Sequence, residues 1–360
     1  MAITFKTLPK GSTIGSGSYI FRHYGNEVIP DYLCFTAEKA RSTVAMSVKG
    51  TPTQGQMFEY STNGTNWSEF IPETTTITLA NVGNKVYFRG DNTTVGESST
   101  MYYKFVMSGK IAASGNIMSL LDKTCQSTTI LNAYCYYFMF HGCTSLTTAP
   151  ALPATTLANN CYNYMFHSCT SLTTAPALPA TVMADYCYYS MFQNCTSLTT
   201  APALPATVMA NNCYLYMFNG CTSLTTAPAL PATVMAKNCY LKMFQNCTSL
   251  TTAPALPATT LASGCYNGMF YNCANLTTAP ALPVTTLASS CYGYMFSGCT
   301  SLQVYSSSGT GHTKTWRIPT SGSASSYTSQ KKMFYNCPGS YGTTTSVSLN
   351  RTFYTQNTPV

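Results

Sequence analysis

Between residues 139 and 299 apolar side chains recur in adjacent pairs. In one copy they are Leu157 and Ala158, Cys161 and Tyr162, Met165 and Phe166, then Cys169, a spacing of i, i+1, i+4, i+5 and i+8. That pattern predicts one stripe of a short helix. Pro153 ends the preceding extended segment, and Thr155 or Thr156 can cap the helix start. Positions 159, 160, 163, 164, 167 and 168 fall off the stripe and are expected to face solvent. The other half of the unit, CTSLTTAPALPA, reads as a short strand. Leu146 points inward, and Pro150, having no N–H to donate, limits the parallel ladder to three or four residues.

The unit is copied almost word for word. Cys143, Cys169, Cys195, Cys221, Cys247, Cys273 and Cys299 are separated by a constant 26 residues, and a fixed period of this size specifies a solenoid. The stripe is nearly invariant among copies. Positions 159 and 160 drift instead, from Asn-Asn to Asp185-Tyr186, Asn211-Asn212, Lys237-Asn238, Ser263-Gly264 and Ser289-Ser290. Side chains that meet the core hold, and those that meet water vary.

Both ends break the period. Ile117-Met118-Ser119-Leu120 aligns with Cys143-Thr144-Ser145-Leu146, so the first unit reads as a degenerate cap that shields the first core face. The step from Cys299 to Cys337 is 38 residues. Its extra segment, 303–318, has a Gly-rich centre between two strand-like arms and predicts a protruding hairpin. Upstream of the repeats, the runs TVAMSV, QMFEYS, TITLA, KVYFRG and YYKFVMSGKIAA alternate like strands, and Asn63-Gly64 suits a hairpin turn. They predict a small β-sandwich. Trp67 and Phe70 are expected to pack on it, with Trp67 as a ligand platform the alternative. The expected organisation is an arm at 1–37, a β-sandwich docking domain at 38–112, the solenoid at 113–338 and a C-terminal cap at 339–360. The fold class is thus an α/β solenoid of short parallel strands and short helices behind an all-β sandwich.

The run Phe140-x-x-Cys143-x-x-Leu146-x-x-Ala149, followed by Leu152-Pro153, resembles the BspA-like (Treponema-type) leucine-rich repeat. The copies differ from that pattern in having Ala for the usual Ile, an additional Pro150 and a longer period. The segments FEYSTNGTNW, VYFRGDN and KFVMSGKIAASGNIMSLLD resemble the domain that precedes such repeats in proteins of gut Bacteroidales and their phages. The resemblance implies adhesion at a cell or virion surface, by proteins not known as enzymes.

Composition narrows the chemistry. The chain of 360 residues is 45% hydrophobic and only 8% charged, with a net charge of +8 and no block of Lys or Arg, so a nucleic-acid footprint is not expected. The N-terminus lacks a secretory pattern, and no apolar run is long enough for a membrane helix. A complete chain would fold in a cytoplasm, where its 17 cysteines stay thiols. Cys161 and Cys169, about 12 Å apart along a helix, could share neither a disulfide nor a zinc ion. No cofactor or metal is expected. Only Asp122 and Asp185 carry carboxylates beyond residue 100, which leaves little for acid and base catalysis. His141 and His167 occupy the drifting outward position and are read as solvent-facing polar residues.

The expected function is therefore non-enzymatic: a bacteriophage fibre, tail or capsid-attached component whose N-terminal domain docks on other virion proteins. A homo-oligomer is compatible with this, and membrane insertion is not expected. The alternative is a bacterial cell-surface adhesin whose export signal is missing from this sequence or replaced by another export route. The repeats would contact host glycan or protein through outward Tyr164, Tyr186, Tyr189, Tyr216, Tyr271 and Tyr294, unless these merely solubilise the face. The insertion adds His312, Lys314, Trp316 and Arg317 as the best single contact site.

Overall fold

The computed structural model describes residues 22–24, 27–53, 55–284, 286–317, 321–322, 331–341 and 352–356. Most of the expected arm and of the expected C-terminal cap lies outside the described residues. From residue 33 to 114 the chain forms two sheets. One is antiparallel throughout, in the order Thr76–Leu79, Ser42–Lys49, Met101–Ser108, Gly96–Ser98. The other runs Leu146–Thr148, Ile111–Ser114, Leu33–Ala37, Lys85–Gly90, Phe58–Ser61, Ser68–Phe70. Alternating burial along Ser42–Lys49 and Lys85–Gly90 places every second side chain inward. Phe35, Phe88 and Phe105 meet there edge to face at 4.9–5.6 Å. Gly64, at φ 79°, turns the chain between Phe58–Ser61 and Ser68–Phe70, which pair as the Asn-Gly signal predicts. Phe70 is buried, and half-buried Trp67 lies edge-on to Tyr32 under the Arg89 guanidinium.

The β-domain runs into the repeats without a break. Ile111–Ser114 is the first rung: it pairs in parallel with Leu146–Thr148, and Thr147 and Thr148 donate their hydroxyls to Ile111 and Ala113 carbonyls. Leu146 is thus preceded by Ile111, not by Leu120, and Ile117–Leu120 is a 3-10 turn beside the seam. Phe105 of the β-domain stacks on Phe140 at 5.3 Å, and Phe140 on Phe166 at 5.2 Å. One aromatic column therefore crosses both parts.

The expected helices do not form. Among the described residues the only helical element is the 3-10 turn Ile117–Leu120, so the α/β reading is corrected. Residues 158–169 instead make a chain of tight turns. N–H groups of Asn160, Tyr162, Tyr164, Phe166 and Ser168 donate to the next repeat at Asp185, Cys187, Tyr189, Met191 and Gln193, over 2.8–3.0 Å. N–H groups of Cys161, Asn163, Met165, His167 and Cys169 donate three residues back within their own repeat. Alternate donors from Asn160 to Cys169 thus bond sideways and backwards, which satisfies the backbone N–H groups of the buried stretch. Every fourth residue takes the left-handed conformation: Asn160, Tyr164 and Ser168 have φ of 59°, 56° and 60°. A helix of L-residues cannot include such positions.

The stripe is buried from Cys161 onward, whereas Leu157 and Ala158 at its start are half-buried. Cys161, Tyr162, Met165, Phe166 and Cys169 are inaccessible, as are their copies to Cys299. Phe166 stacks on Phe192 at 5.6 Å and 1°, Tyr162 on Tyr188 at 5.8 Å and 4°. Solvent exposure of the remaining positions holds only in part, since Asn163, Ser190, Asn212, Asn219 and Ser297 are buried. Strands are shorter than expected: after Leu146–Thr148 the ladder narrows to one bridge residue per repeat, Thr174, Thr200, Thr226, Thr252 and Thr278 in turn. The proline two residues on stops the ladder. A second set of parallel bridges joins Thr129 to Thr156, Val182 to Val208 and Val234 to Thr260.

The insertion is not a free hairpin. Its arms Val304–Tyr305 and His312–Arg317 do not pair with each other; Thr352–Gln356 lies between them and pairs with both. Val304 and Phe353 are buried, and Phe353 lies 5.1 Å from Phe334 in the last rung. Buried apolar groups pull the segment over the open end of the stack.

Candidate functional site

Two neighbouring columns carry the outward rings. Tyr137, Asn163, Tyr189 and Leu215 are equivalent positions in one; Phe138, Tyr164, Ser190 and Tyr216 follow them in the other. Large rings alternate between columns, so the path zigzags: Tyr137 to Tyr164 is 6.3 Å, Tyr164 to Tyr189 is 5.1 Å, and Tyr189 to Tyr216 is 6.1 Å. Interplanar angles of 65–87° make each contact edge to face, the arrangement the ring quadrupole favours. In the two middle repeats the column without a ring has a small polar residue, Asn163 and Ser190, which are 5% and 0% exposed. Left-handed backbone at Tyr164 and Tyr216 fixes the direction of their rings.

The path has two ends. At the β-domain, Tyr102 lies 5.0 Å from Phe138 and 5.4 Å from Tyr137. At the other, the Lys242 ammonium sits 5.6 Å from the centre of Tyr216, within cation–π range. Tyr186 flanks the path 5.9 Å from Tyr189 and is itself exposed. Beside Phe138 and Tyr164, the imidazoles of His141 and His167 stack at 4.8 Å and 6°. They are half-buried and paired with each other across the repeat boundary, not free in solvent. Burial, then the nearby charges of His167 and Lys104, pushes His141 down to about 4. Burial lowers His167 as well.

Of the expected contact residues, the structure brings together Tyr164, Tyr186, Tyr189 and Tyr216. Among the described residues no ring contact joins Tyr271 or Tyr294 to them; Tyr271 stands in the column of His167, and Tyr294 donates its N–H to Lys331 across the insertion. His312 stacks on Tyr305 at 4.0 Å. Lys314, Trp316 and Arg317 lie on the strand His312–Arg317, in register with Tyr354, Phe353 and Thr352; their side chains lie outside the described set. Sequence reasoning missed Tyr102, Tyr137, Phe138 and Lys242. A 26-residue step back from Asn163 and Tyr164 finds Tyr137 and Phe138, whereas only the fold brings Tyr102 to them.

Other chemistry is bounded by geometry. All 17 cysteines are buried free thiols, and burial raises them, Cys143 and Cys195 to about 12. A reactive thiolate needs the opposite shift. Burial opposes ionisation of Asp122, but the Thr124 hydroxyl and the N–H groups of Thr124, Ser127 and Gln126 outweigh it and lower its pKa. Asp185 accepts the Asn211 N–H at 2.8 Å. Both carboxylates thus hold backbone. Among the described residues no cluster of three His, Cys, Asp or Glu could hold a metal ion, and no helix is long and apolar enough to cross a membrane.

No curated protein and no solved structure matches the chain. The BspA type Leucine rich repeat region does match, in six copies over residues 126–251 and 216–314. These segments cover more than half of the sequence and include the whole zigzag of rings from Tyr137 to Tyr216, and the chain belongs to that repeat family.

Proposed function

We propose that this chain is a non-enzymatic adhesion protein, in which the β-domain attaches to a carrier and the repeats present the zigzag of rings to a host surface glycan or protein. The observation that carries this reading is the continuous run of half-buried outward rings from Tyr102 to Tyr216. Aromatic side chains held in this way supply contact area at little entropic cost. The carrier we infer is a bacteriophage particle. Seventeen buried thiols suit a protein assembled in a reducing cytoplasm and released by lysis. The repeat family favours a second carrier, the bacterial cell surface.

Cosedimentation of the purified chain with intact gut Bacteroidales cells tests the adhesive face. The native chain is expected to pellet with cells, and a variant with Tyr164→Ser, Tyr189→Ser and Tyr216→Ser to stay in the supernatant while still folded. Equal pelleting of both would remove the face from the function. Mass spectrometry of purified particles separates the carriers, since a virion protein must be found in them.

A further inference from the structure

The inference rests on the adhesive reading and names the ligand. We propose that the aromatic face takes one strand of an anionic polysaccharide lying along the stacking axis, its sugar rings against Tyr164, Tyr189 and Tyr216 and its carboxylates toward Lys104 and Lys242.

Direction comes first. The rings advance one per repeat in steps of 5.1–6.3 Å, so the face is linear and periodic. A ligand that uses all of it must be linear and built of similar ring units. Chemistry narrows the class. A pyranose has an apolar C–H face and a hydroxyl rim, and a half-buried tyrosine offers an apolar ring and a polar tip. Edge-to-face contacts among the tyrosines hold the rings in place before binding, so little side-chain freedom is lost on association.

Charge narrows it further. A cation stands at each end of the path: the Lys242 ammonium over Tyr216, and the Lys104 ammonium, 3.7 Å from where a Cβ on Gly142 would lie. Between residues 143 and 302 the one carboxylate is Asp185, already engaged by the Asn211 N–H. A neutral glycan leaves both lysines unmatched, whereas a uronate-bearing strand meets them. One polar group under the rings also awaits a donor. Asn163 gives its amide N–H to Asn160, but its buried carbonyl oxygen accepts no hydrogen bond. A sugar hydroxyl entering between Tyr137 and Tyr189 would supply one.

Calorimetric titration of the full chain tests this, with a hyaluronan octasaccharide and an alginate hexasaccharide as anionic probes. Cellohexaose serves as the neutral control and oligothymidylate as the anionic control without pyranose rings. Binding of at least one anionic saccharide is expected, weakening with salt and by about tenfold for each ring removed in Tyr189→Ala and Tyr216→Ala. Lys242→Met should weaken that saccharide while leaving thermal unfolding unchanged. Equal affinity for cellohexaose or for oligothymidylate would overturn the proposal. So would the absence of saccharide binding by a chain that still pellets with cells through its tyrosines, a result that leaves the adhesive reading standing. A chain that binds neither saccharides nor cells would sink both.

Discussion

The thiol of Cys195 donates to the carbonyl of Phe166 in the preceding repeat, 3.1 Å away. The same carbonyl accepts the N–H of Cys169 in its own repeat, so one oxygen ties two rungs. The bond recurs from Cys143 to Cys337. Cysteine fits because it is small and apolar yet still a weak donor. Cys195→Ala is expected to destabilise the chain by about 1–2 kcal/mol in urea unfolding, through a lost bond and a small void. Cys247→Ala lies two repeats away, and the double variant should show the sum of the two effects.

Buried thiols with raised pKa values are poor nucleophiles. The native chain should therefore react with almost none of an aromatic disulfide reagent at pH 8, and all 17 cysteines should titrate after unfolding in guanidinium. Rapid labelling of several thiols in the native chain would contradict the two buried columns.

The turn run can be probed at Gly268, which has φ of 58° and whose missing Cβ would come 2.9 Å from the Lys242 Cγ. Gly268→Val should cost about 1–3 kcal/mol, since a β-branched residue is strained there. Asn246→Gly, at φ 60°, should be close to neutral. Equal effects of the two would argue against the left-handed geometry.

The stacked histidines predict a pH dependence. His141 is held down to about 4 in the folded chain against roughly 6.5 when unfolded. Between these values the unfolded chain binds the extra proton, so stability is greatest above pH 6.5 and falls as pH drops toward 4. His167, also lowered, acts in the same direction. His141→Gln should flatten this part of the melting-temperature profile. A variant that melts with the native slope would show that the pair is not the sensor.

The period and the buried pairs 161/162 and 165/166 were legible because each depends on which side chains recur. The backbone between them was not, and the reason lies in the spacing. Inward pairs at 157/158, 161/162 and 165/166 step by four residues, whereas a helix turns in 3.6, so each pair would drift about 40° off its face. The column from Gly142 through Ser168, Asn194, Gly220, Asn246, Asn272 and Gly298 to Asn336 is Asn or Gly in all copies but one. That is the composition positive φ favours, and it was open to reading. Several tyrosines of the candidate face could be named from the sequence, but which of them touch depended on their placement in two columns. Tyr189 faces Tyr164 because Ser190 and Asn163 leave room, a relation no single repeat contains.

Each turn run hands half of its N–H groups to the following copy, so a unit is unfinished without its neighbour yet indifferent to how many neighbours there are. Unequal recombination between such similar stretches of gene would delete or add whole copies in frame. Every addition would lengthen the column of phenylalanines by one step, 5.7 Å in the middle copies, and leave both terminal structures unchanged. Reach is then a heritable quantity that can change without any substitution in the core.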